Sequence, residues 1–278
     1  MASPLTTSQL LARGLDRLRG LSESAHIDAE LLLAYSLDVP RVRLKSHPEE
    51  LRRQAEAQRY LALVERRAAG EPLAYITGSR EFWTLRLTID DSVLVPRPET
   101  ELLVERGLAL CASPAAAILD LGTGSGAIAL ALASERPGWR ITAVDASARA
   151  LAVARANAAR LGLDVELLEG SWFAPLARRR FDLILSNPPY IAPGDPALPA
   201  LRFEPQTALT APADGLADLH AIIRAAPGHL CPGGWLALEH GATQAPAVAA
   251  ELVARGFDSV RSHRDLGGHL RVTEGRIA

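Results

Sequence analysis

Residues 119–133 read LDLGTGSGAIALALA. A short apolar run ends in glycines at alternate positions, Gly122, Gly124 and Gly126, and a second apolar run of helical character follows. Glycine lets the backbone turn tightly off a strand and approach a ligand without a Cβ in the way. The stretch therefore predicts a strand, a glycine loop and a helix in succession.

The same alternation continues toward the C-terminus. Strand patterns occur at AAILDL, RITAVD, DVELLE, FDLILS and GGWLALEHG, with helical patterns such as ASARALAVARANAARLG and APAVAAELVARGF between them. Two last strands, SVRSHRDL and HLRVTEG, meet at a Gly267–Gly268 turn. Alternating strands and helices predict an α/β fold with a doubly wound, mostly parallel sheet and helices on both faces. Ligands of such sheets bind beyond the carboxyl ends of the strands.

The N-terminal part of the chain has a different, helical pattern. Apolar residues recur three and four positions apart in SQLLARGLDRLRGL, DAELLLAYSL and PEELRRQAEAQRYLALVERRAAG. Pro48, followed by two glutamates, predicts the start of the third helix, and Gly70 predicts its end. This small all-α region is close to electrically neutral. Its sequence leaves open whether it is a packing appendage or a substrate-docking domain.

A short connecting region separates the two patterns. Alternating apolar residues from Trp83 to Ile89 predict a hairpin that turns at Asp90–Asp91. The segment PRPETE, residues 96–101, ends the extended pattern and starts a helix, and its prolines make it a stiff hinge. We therefore predict a docking domain over 1–75, a hairpin and hinge over 76–97, and a ligand-binding domain over 98–278.

Composition restricts the class of protein. The 278 residues are 48% hydrophobic, which is ample for a core, but no apolar run approaches the roughly 20 residues of a membrane-spanning helix and no signal sequence is evident. We therefore expect a soluble protein. Two distant cysteines, Cys111 and Cys231, predict a reducing compartment and no metal site. A net charge of −2 argues against a general nucleic-acid binder.

The glycine loop suits an adenosine-type ligand. Its spacing is G-x-G-x-G, whereas the dinucleotide fingerprint of dehydrogenases is G-x-G-x-x-G. Asp120 directly precedes the loop, and a carboxylate there favours a cationic ligand over a phosphate. S-adenosylmethionine carries an ammonium and a sulfonium group and no phosphate, so it fits better than a dinucleotide. A glycine turn without a ligand is the alternative.

Asp145 closes the second strand of this region, in ITAVDAS. An acidic side chain at that position can accept both hydrogen bonds of a ribose diol, as it does in dinucleotide sites. The residue supports an adenosine ligand without identifying it. The alternative is that Asp145 caps the following helix.

The stretch FDLILSNPPYI, residues 181–191, delivers a polar and rigid tip to the same edge of the sheet. Pro188 and Pro189 fix φ and have no N–H, so their carbonyls can point into a cleft. Tyr190 offers a flat face for a planar group. The Asn187 side-chain oxygen and the Pro188 carbonyl can accept the two N–H bonds of an sp² nitrogen and aim it at a methyl donor. A turn without a catalytic role is the alternative.

Together these segments resemble one enzyme family. The sequence is similar to class I S-adenosylmethionine-dependent methyltransferases and, within them, to the HemK/PrmC family, which methylates a glutamine side-chain amide in peptide chain release factors. The resemblance rests on DAELLLAYSL, EPLAYITGSREFW, VLVPRPETELLVE, LDLGTGSGAIALALA, DLILSNPPYI, RFEPQTAL, CPGGWLALEHG and RDLGGHLRVTEGR. Enzymes that methylate DNA or RNA amino groups share Asn-Pro-Pro-Tyr, whereas the PRPETE hinge with RFEP is specific to the release-factor group.

The resemblance implies a Rossmann-like, seven-stranded sheet with an antiparallel last strand, an N-terminal domain that grips the release factor, and a bacterial, cytoplasmic enzyme. S-adenosylmethionine would be the cofactor, S-adenosylhomocysteine its product, and no metal would be needed. Asp145 would bind the ribose and Trp172 would lie against the adenine, although partly buried packing explains this tryptophan equally well. The remaining implied residues are the cofactor loop, Gly122, Thr123, Gly124, Ser125 and Gly126, and the glutamine slot, Asn187, Pro188, Pro189 and Tyr190.

The sequence leaves the roles of other polar residues, and other functions, open. Glu239 and His240 end the fifth strand and are either a general base or supporting hydrogen-bonding groups. Arg97 and Glu99 contact a ligand or form an internal ion pair. A ribosomal-protein glutamine, an exocyclic amino group of DNA or RNA, and a catalytically inactive binding scaffold are the alternatives to release-factor methylation.

Overall fold

The computed structural model describes residues 4–22, 24–212 and 214–278. The chain divides into two compact units, Met1–Gly78 and Ser79–Ala278. Among the described residues, no helix has the length and apolar character that crossing a membrane requires.

The first unit is built from helices around a small apolar core. Its elements are β1 (Leu5–Thr6), α1 (Thr7–Leu18), α2 (Ala25–Leu37), α3 (Arg41–Ser46), β2 (Leu51–Arg52), α4 (Gln54–Ala68) and α5 (Leu73–Thr77). The core joins α1, α2 and α4 through fully buried side chains such as Leu10, Leu32, Leu33 and Tyr60. The helical pattern of this region is therefore confirmed.

The predicted start of α4 at Pro48 is wrong. Residues 51 and 52 pair instead with Leu5 and Thr6 in an antiparallel bridge, and α4 begins at Gln54. The buried Arg52 fixes this pairing, because its Nε donates to Thr7 Oγ1 at 2.9 Å. Glu56 then caps the helix by accepting the Arg53 N–H at 2.9 Å. A proline and two glutamates favour a helix start locally, but a long-range strand pair takes up the backbone at that point.

The second unit contains a hairpin and a larger α/β layer structure. Its strands are β3 (Ser79–Phe82), β4 (Leu85–Thr88), β5 (Ala117–Leu121), β6 (Arg140–Asp145), β7 (Glu166–Glu169), β8 (Phe181–Ser186), β9 (Leu230–Glu239), β10 (Phe257–Arg264) and β11 (Leu270–Ile277). Its helices are α6 (Glu101–Leu110), α7 (Ala127–Glu135), α8 (Ala148–Leu161), α9 (Ala217–Ala225) and α10 (Ala245–Ala254). Short 3₁₀ turns complete the connections, including Pro98–Thr100 directly before α6.

The hairpin exists, but its predicted turn at Asp90–Asp91 is wrong. β3 and β4 pair antiparallel and turn at Trp83–Thr84. Trp83 has φ of +55°, and its backbone N–H and indole N–H donate to Glu101 at 2.8 Å and Glu135 at 2.7 Å. These tertiary hydrogen bonds place a tryptophan in a turn, where propensity alone would not put it. Asp90 does form a turn, since it accepts the Ser92 N–H, but that turn lies beyond the hairpin.

The main sheet has the strand order β10-β11-β9-β8-β5-β6-β7. Six of the seven strands run in the same direction, and β11 runs opposite to them. The predicted doubly wound, seven-stranded, mostly parallel sheet is thus confirmed, including the antiparallel last strand. The chain leaves β5 toward β6 on one side and later returns to β8 on the other side of β5. This reversal is the topological switch point, where such sheets bind ligands.

Buried side chains on one face of the sheet join β5, β8 and β9 to α9 and α10. The apolar cluster includes Leu121, Ile184, Leu236, Ile222 and Val248, each fully buried. Helix α7 is apolar on all sides, and all its residues from Ala127 to Ala133 are buried. A helix with no polar face is held from every direction. The loop that begins it is therefore anchored to a rigid element.

Candidate active site

A cavity of about 610 Å³ opens at the carboxyl ends of the parallel strands, at the switch point. The glycine loop, the end of β6 and the end of β8 contribute Gly122, Gly124, Asp145 and Asn187 to its wall. Residues of the segments 91–94, 146–150, 170–172 and 205–208 and Asp218 also belong to the lining. Residues far apart in sequence thus converge on one concave site.

The glycine loop adopts a backbone that requires glycine. Gly122, Gly124 and Gly126 have φ of +72°, +56° and +84°, a region that other residues rarely adopt. The Gly122 N–H donates to Val144 O of β6 at 2.8 Å, and the Gly126 N–H donates to Thr123 O at 2.9 Å. A Cβ on Gly126 would lie 2.9 Å from Leu130. Close packing against α7 and the turn itself both explain the glycines.

Asp120 lies beneath the loop, fully buried, and does not line the cavity. Its Oδ2 accepts the Thr123 hydroxyl at 2.6 Å, whereas its Oδ1 has no hydrogen-bond partner among the described residues. Burial raises the pKa of this carboxyl to about 7, and the Thr123 hydrogen bond counteracts part of that rise. An ionisable group with an unsatisfied buried oxygen is costly to fold and is a frequent feature of functional sites.

Asp145, at the end of β6, holds the glycine loop by hydrogen bonds. One carboxylate oxygen accepts the Gly124 N–H at 2.8 Å and the other accepts the Ser147 N–H at 2.8 Å. Ser147 rather than Asp145 caps α8, since its hydroxyl accepts the Ala150 N–H. Each oxygen keeps a second acceptor position. The carboxylate is therefore fixed in direction and lies on the cavity wall.

Trp172 lies next to Gly122 of the glycine loop. Its backbone has φ of +48°, and a Cβ built on Gly122 would lie 3.5 Å from its ring. The side chain packs partly against the apolar cluster, and Asp218 lines the same cavity. The tryptophan also lines the cavity. Trp172 is therefore both packed against the core and accessible from the cavity.

Asn187 emerges directly from β8. The preceding Ser186 is fully buried and donates to Leu121 O at 2.7 Å, which fixes the end of β8 beside the end of β5. Asn187 Nδ2 donates to Thr100 Oγ1 at 3.1 Å. Its amide orientation is thus held from the hinge side, and the residue lines the cavity together with Pro189.

Tyr190 and Glu239 form a buried pair next to this tip. The Tyr190 hydroxyl donates to Glu239 Oε1 at 3.4 Å, and Glu239 Oε2 has no hydrogen-bond partner among the described residues. Burial raises the pKa of the Glu239 carboxyl to about 7, while the positive charge of Arg271 acts in the opposite direction. Burial also raises the pKa of the Tyr190 phenol above its ordinary value.

His240 is held by hydrogen bonds on both ring nitrogens. Nδ1 lies 2.9 Å from the Gly241 carbonyl, which can only accept, so Nδ1 carries a proton. Burial lowers the pKa of the ring. The neutral ring then accepts from Thr273 through Nε2 at 2.7 Å. With both nitrogens engaged, His240 serves as a supporting hydrogen-bonding group rather than as a free base.

Arg97 forms an internal ion pair. Its guanidinium lies 2.5 Å from Glu204 Oε1, and the other Glu204 oxygen accepts the Val95 N–H at 3.1 Å. Glu204 is nearly fully buried. The pair joins the PRPETE hinge to the RFEP segment, two motifs that the sequence alone does not connect. Glu99, by contrast, lies near enough to Glu239 to raise its pKa by like-charge repulsion.

Comparisons with known proteins identify the family. A model of the methyltransferase small domain matches residues 98–200, and a model of the PrmC N-terminal domain matches residues 9–78. A curated release factor glutamine methyltransferase of Shewanella oneidensis is 46% identical over 279 residues, 99% of this chain and 98% of that protein. One of Pseudomonas aeruginosa is 50% identical over 260 residues, 92% of this chain and 94% of that protein.

The chain belongs to the release factor glutamine methyltransferase family. A solved methyltransferase from Pyrococcus furiosus, 19% identical, has a TM-score of 0.55 and covers 79% of this chain and 98% of its own. That likeness supports the fold. The family resemblance inferred from the sequence is therefore confirmed.

The structure places the candidate residues of this family member in two groups. Gly122, Gly124, Asp145, Trp172, Asn187 and Pro189 line the cavity. The others lie behind the wall or beside it and are Asp120, Thr123, Ser125, Gly126, Pro188 and Tyr190. Among the described residues, no group of three or more histidine, cysteine, aspartate or glutamate side chains could hold a metal ion.

Sequence reasoning missed several residues of the site. Thr100 accepts a hydrogen bond from the Asn187 amide, and Asp218 lines the cavity. Residues of the segments 91–94 and 205–208 line it as well. The second of these lies in RFEPQTAL, which carries family resemblance but no chemical pattern of its own. Thr100, within PRPETE, is distinguishable only once its contact with Asn187 is known.

Proposed function

We propose that this chain transfers a methyl group from S-adenosylmethionine to the side-chain amide nitrogen of the glutamine in the Gly-Gly-Gln motif of peptide chain release factors. Near-full-length identity of 46% to 50% with release factor glutamine methyltransferases supports the reaction and the substrate class. The observation that carries the proposal is the position of Asn187, whose side chain meets the cavity beside the glycine loop and Asp145. The nitrogen that accepts the methyl group and the nucleoside of the methyl donor can therefore bind next to each other.

The cavity fits the cofactor. Its volume is in the range of ordinary small-molecule sites, and the glycine loop leaves backbone exposed where a Cβ would intrude. Asp145 keeps an acceptor position on each oxygen for the ribose hydroxyls, and Trp172 offers a flat apolar face for the adenine. The buried Asp120 below the loop has a pKa of about 7, so its carboxyl can ionise and favour a cationic ligand. When bound, S-adenosylmethionine supplies an electrophilic methyl group on a sulfonium sulfur.

Asn187 and Pro188 prepare the acceptor. An amide nitrogen is a poor nucleophile because its lone pair is delocalised into the carbonyl. We assign the Asn187 Oδ1 and the Pro188 carbonyl to its two N–H groups, so that two fixed acceptors stabilise the nitrogen as it becomes tetrahedral. Holding the nitrogen in line with the methyl group supplies further acceleration. The nitrogen becomes acidic once the new bond forms, so its proton can pass to water without a strong base.

Pro189 and Tyr190 complete the slot. The two prolines restrict the backbone so that the Pro188 carbonyl keeps one direction. We assign the Tyr190 ring to the face of the planar glutamine amide. Its hydroxyl is occupied by Glu239, so its role is packing rather than proton transfer. The mechanism uses no metal.

The first part of the chain is assigned to the release factor. We take residues 1–75 as the docking domain, 76–97 as the hairpin and hinge, and 98–278 as the methyltransferase domain. The first unit exposes five large apolar side chains, Leu21, Ile27, Tyr35, Val42 and Leu51. Apolar side chains at the surface are available for contact with a protein partner. Because release factors act on ribosomes, the reaction belongs in the bacterial cytoplasm, and the protein substrate requires no direct contact with nucleic acid.

The test is methyl transfer from labelled S-adenosylmethionine to unmodified release factor. The matched substrate has the glutamine of Gly-Gly-Gln changed to alanine. Label in the first protein and none in the second is the expected result. If neither protein is labelled while the enzyme binds the cofactor by calorimetry, the acceptor assignment is wrong. If the cofactor does not bind either, the site assignment is wrong as well.

A further inference from the structure

We propose that Glu204 is a positioning residue that holds part of the cavity wall in place and thereby sets the affinity for S-adenosylmethionine. The inference rests on the proposed function, because it takes this cavity as the cofactor site. Glu204 does not line the cavity itself. It acts through the segment 205–208, whose residues Pro205, Thr207 and Ala208 do line it.

The connection that contains this segment has little apolar packing of its own. Residues 192–208 follow the Asn-Pro-Pro-Tyr tip, and the structure describes all of them. The ends of the connection are joined by the backbone, because the Ile191 N–H donates to Leu209 O at 3.0 Å and the Ala211 N–H donates to Ile191 O at 3.0 Å. Between those ends, Glu204 is the one buried residue. A segment without buried apolar side chains has low local stability, so its position depends on what holds Glu204.

Two groups of the hinge hold the Glu204 carboxylate. Its Oε2 accepts the Val95 N–H at 3.1 Å, and its Oε1 accepts a hydrogen bond from the Arg97 guanidinium at 2.5 Å. We call Glu204, Val95 and Arg97 the latch. The hinge side of the latch is stiff, because Val95 and Pro96 are buried and Arg97 stands between two prolines. The latch therefore fixes a loosely packed segment to a rigid one.

The latch lies where two parts of the cavity wall meet. Residues 91–94 line the cavity and end one position before Val95, whereas the lining residues of 205–208 begin one position after Glu204. The bond between Glu204 and Val95 therefore fixes the distance between these two parts of the wall. Without the latch, only the fraction of molecules with a complete wall binds the cofactor tightly. The apparent dissociation constant rises as that fraction falls.

The use of a charged pair at this place favours positioning over stability. Burying a carboxylate costs desolvation free energy, and apolar side chains of similar volume often stabilise a fold as well as a buried ion pair does. Only 3% of the Glu204 side chain is exposed, whereas 34% of the Arg97 side chain is. Directional hydrogen bonds to a buried carboxylate specify one geometry, which apolar contacts do less well. The wall of a ligand site is where such a geometry matters.

The experiment measures the dissociation constant for S-adenosylmethionine by calorimetry and the urea midpoint of the same protein. Arg97→Met removes the cation but keeps an apolar side chain at the hinge. We expect the dissociation constant to rise about tenfold, which corresponds to a complete wall in about one molecule in ten. At saturating cofactor, kcat should fall by less than about threefold, because the lost interaction serves binding rather than the transition state.

The matched control is Arg106→Met, at a similar ion pair away from the cavity. Arg106 donates to the buried Glu274 at 2.9 Å and 3.0 Å, and 23% of its side chain is exposed. Neither residue lines the cavity. The control should also lower the urea midpoint, because a buried carboxylate loses its partner, but its dissociation constant should stay within about twofold of the wild type. An equal rise in both variants would make general loss of stability the cause and would overturn the positioning role.

A double-mutant cycle tests whether Arg97 and Glu204 act as one unit. Glu204→Gln keeps an oxygen for the Val95 N–H but places an NH₂ group against the guanidinium, so it should also raise the dissociation constant. Combined with Arg97→Met, it should raise that constant no further than the larger single effect. Two single effects that multiply, or an unchanged constant in Arg97→Met, would contradict the inference.

The remaining outcomes are separable too. If Arg97→Met does not fold, Glu204→Gln takes its place beside the Arg106→Met control, with the same expected rise and the same contradicting result. Wild-type protein that does not bind S-adenosylmethionine at all would refute the proposed function. Wild-type protein that binds it, beside latch variants that bind it equally well, would refute the role of Glu204 alone.

Discussion

Asp120→Asn provides a direct test of the electrostatics of the site. Asp120 is fully buried, and its Oδ1 has no hydrogen-bond partner among the described residues. Burial raises the pKa of its carboxyl from 3.8 to about 7. The folded state therefore holds the proton more tightly than the unfolded chain. Stability from this group is complete below pH 3.8 and is lost as the pH rises through 7. Asparagine never ionises, so the variant escapes that loss.

The magnitude follows from the pKa difference. A shift of this size corresponds to roughly 4 kcal/mol of lost stability at pH 8 and roughly 2 kcal/mol at pH 5, using about 1.4 kcal/mol per unit. Asparagine introduces its own constant cost, because a buried NH₂ without a partner destabilises by about 1–3 kcal/mol. That cost does not depend on pH. The difference in unfolding free energy between variant and wild type should therefore move by about 2–3 kcal/mol in favour of the variant between pH 5 and pH 8.

The assay is urea denaturation of both proteins at pH 5 and pH 8, without cofactor. Asp258→Asn, at an exposed aspartate of β10, is the matched control and should follow the wild type at both pH values. The Asp120 side chain also accepts the Thr123 hydroxyl, a bond that the asparagine oxygen can keep. If the variant and the wild type differ by the same amount at both pH values, Asp120 does not carry a raised pKa and the electrostatic account of the loop fails.

The remaining predictions concern the cavity wall and the hinge. Asn187→Ala should keep cofactor affinity but lower kcat at least about a hundredfold, and near-normal turnover would exclude the slot mechanism. Asp145→Ala should weaken cofactor binding by roughly 1–3 kcal/mol in calorimetry, and an unchanged Kd would remove it from the ribose. Arg97→Met should lower the unfolding free energy by roughly 2 kcal/mol, because Glu204 stays buried without its partner; an unchanged urea midpoint would contradict this.

The strands of the sheet could be predicted because each is determined by the residues of its own segment. RITAVD and FDLILS became β6 and β8 with the same bounds, since each is an apolar run ended by a polar residue. Knowing that parallel strands share one carboxyl edge was enough to bring Gly122, Asp145 and Asn187 to the same place. Those three residues do line one cavity. Their convergence follows from topology and needs no side-chain contact.

Contacts between segments that are far apart in the sequence could not be predicted. The false helix start at Pro48 and the misplaced hairpin turn both fail because a partner elsewhere in the chain takes up the backbone, Leu5–Thr6 in one case and Glu101 in the other. The bond from Asn187 to Thr100 spans 87 positions, and the Arg97–Glu204 pair spans 107. No periodicity or spacing signals such pairs. The supporting network of the site, unlike its wall, therefore depends on tertiary contacts that a single sequence does not display.

Asp120 and Glu239 nevertheless have a signature that is visible in the sequence. Each lies at the carboxyl end of a strand that is otherwise apolar, in ILDLG and LALEHG, and each keeps one buried oxygen without a partner among the described residues. Asp182, near the start of β8, shows the contrast: its carboxylate is partly exposed and accepts the Ala117 N–H at 2.8 Å. A buried acid without full pairing destabilises the fold. An acid at this edge of the sheet therefore marks a position where a bound ligand or a hydrogen-bond network offsets that destabilisation. An acid at the carboxyl end of an apolar strand is therefore a functional candidate on the strength of the amino-acid pattern alone.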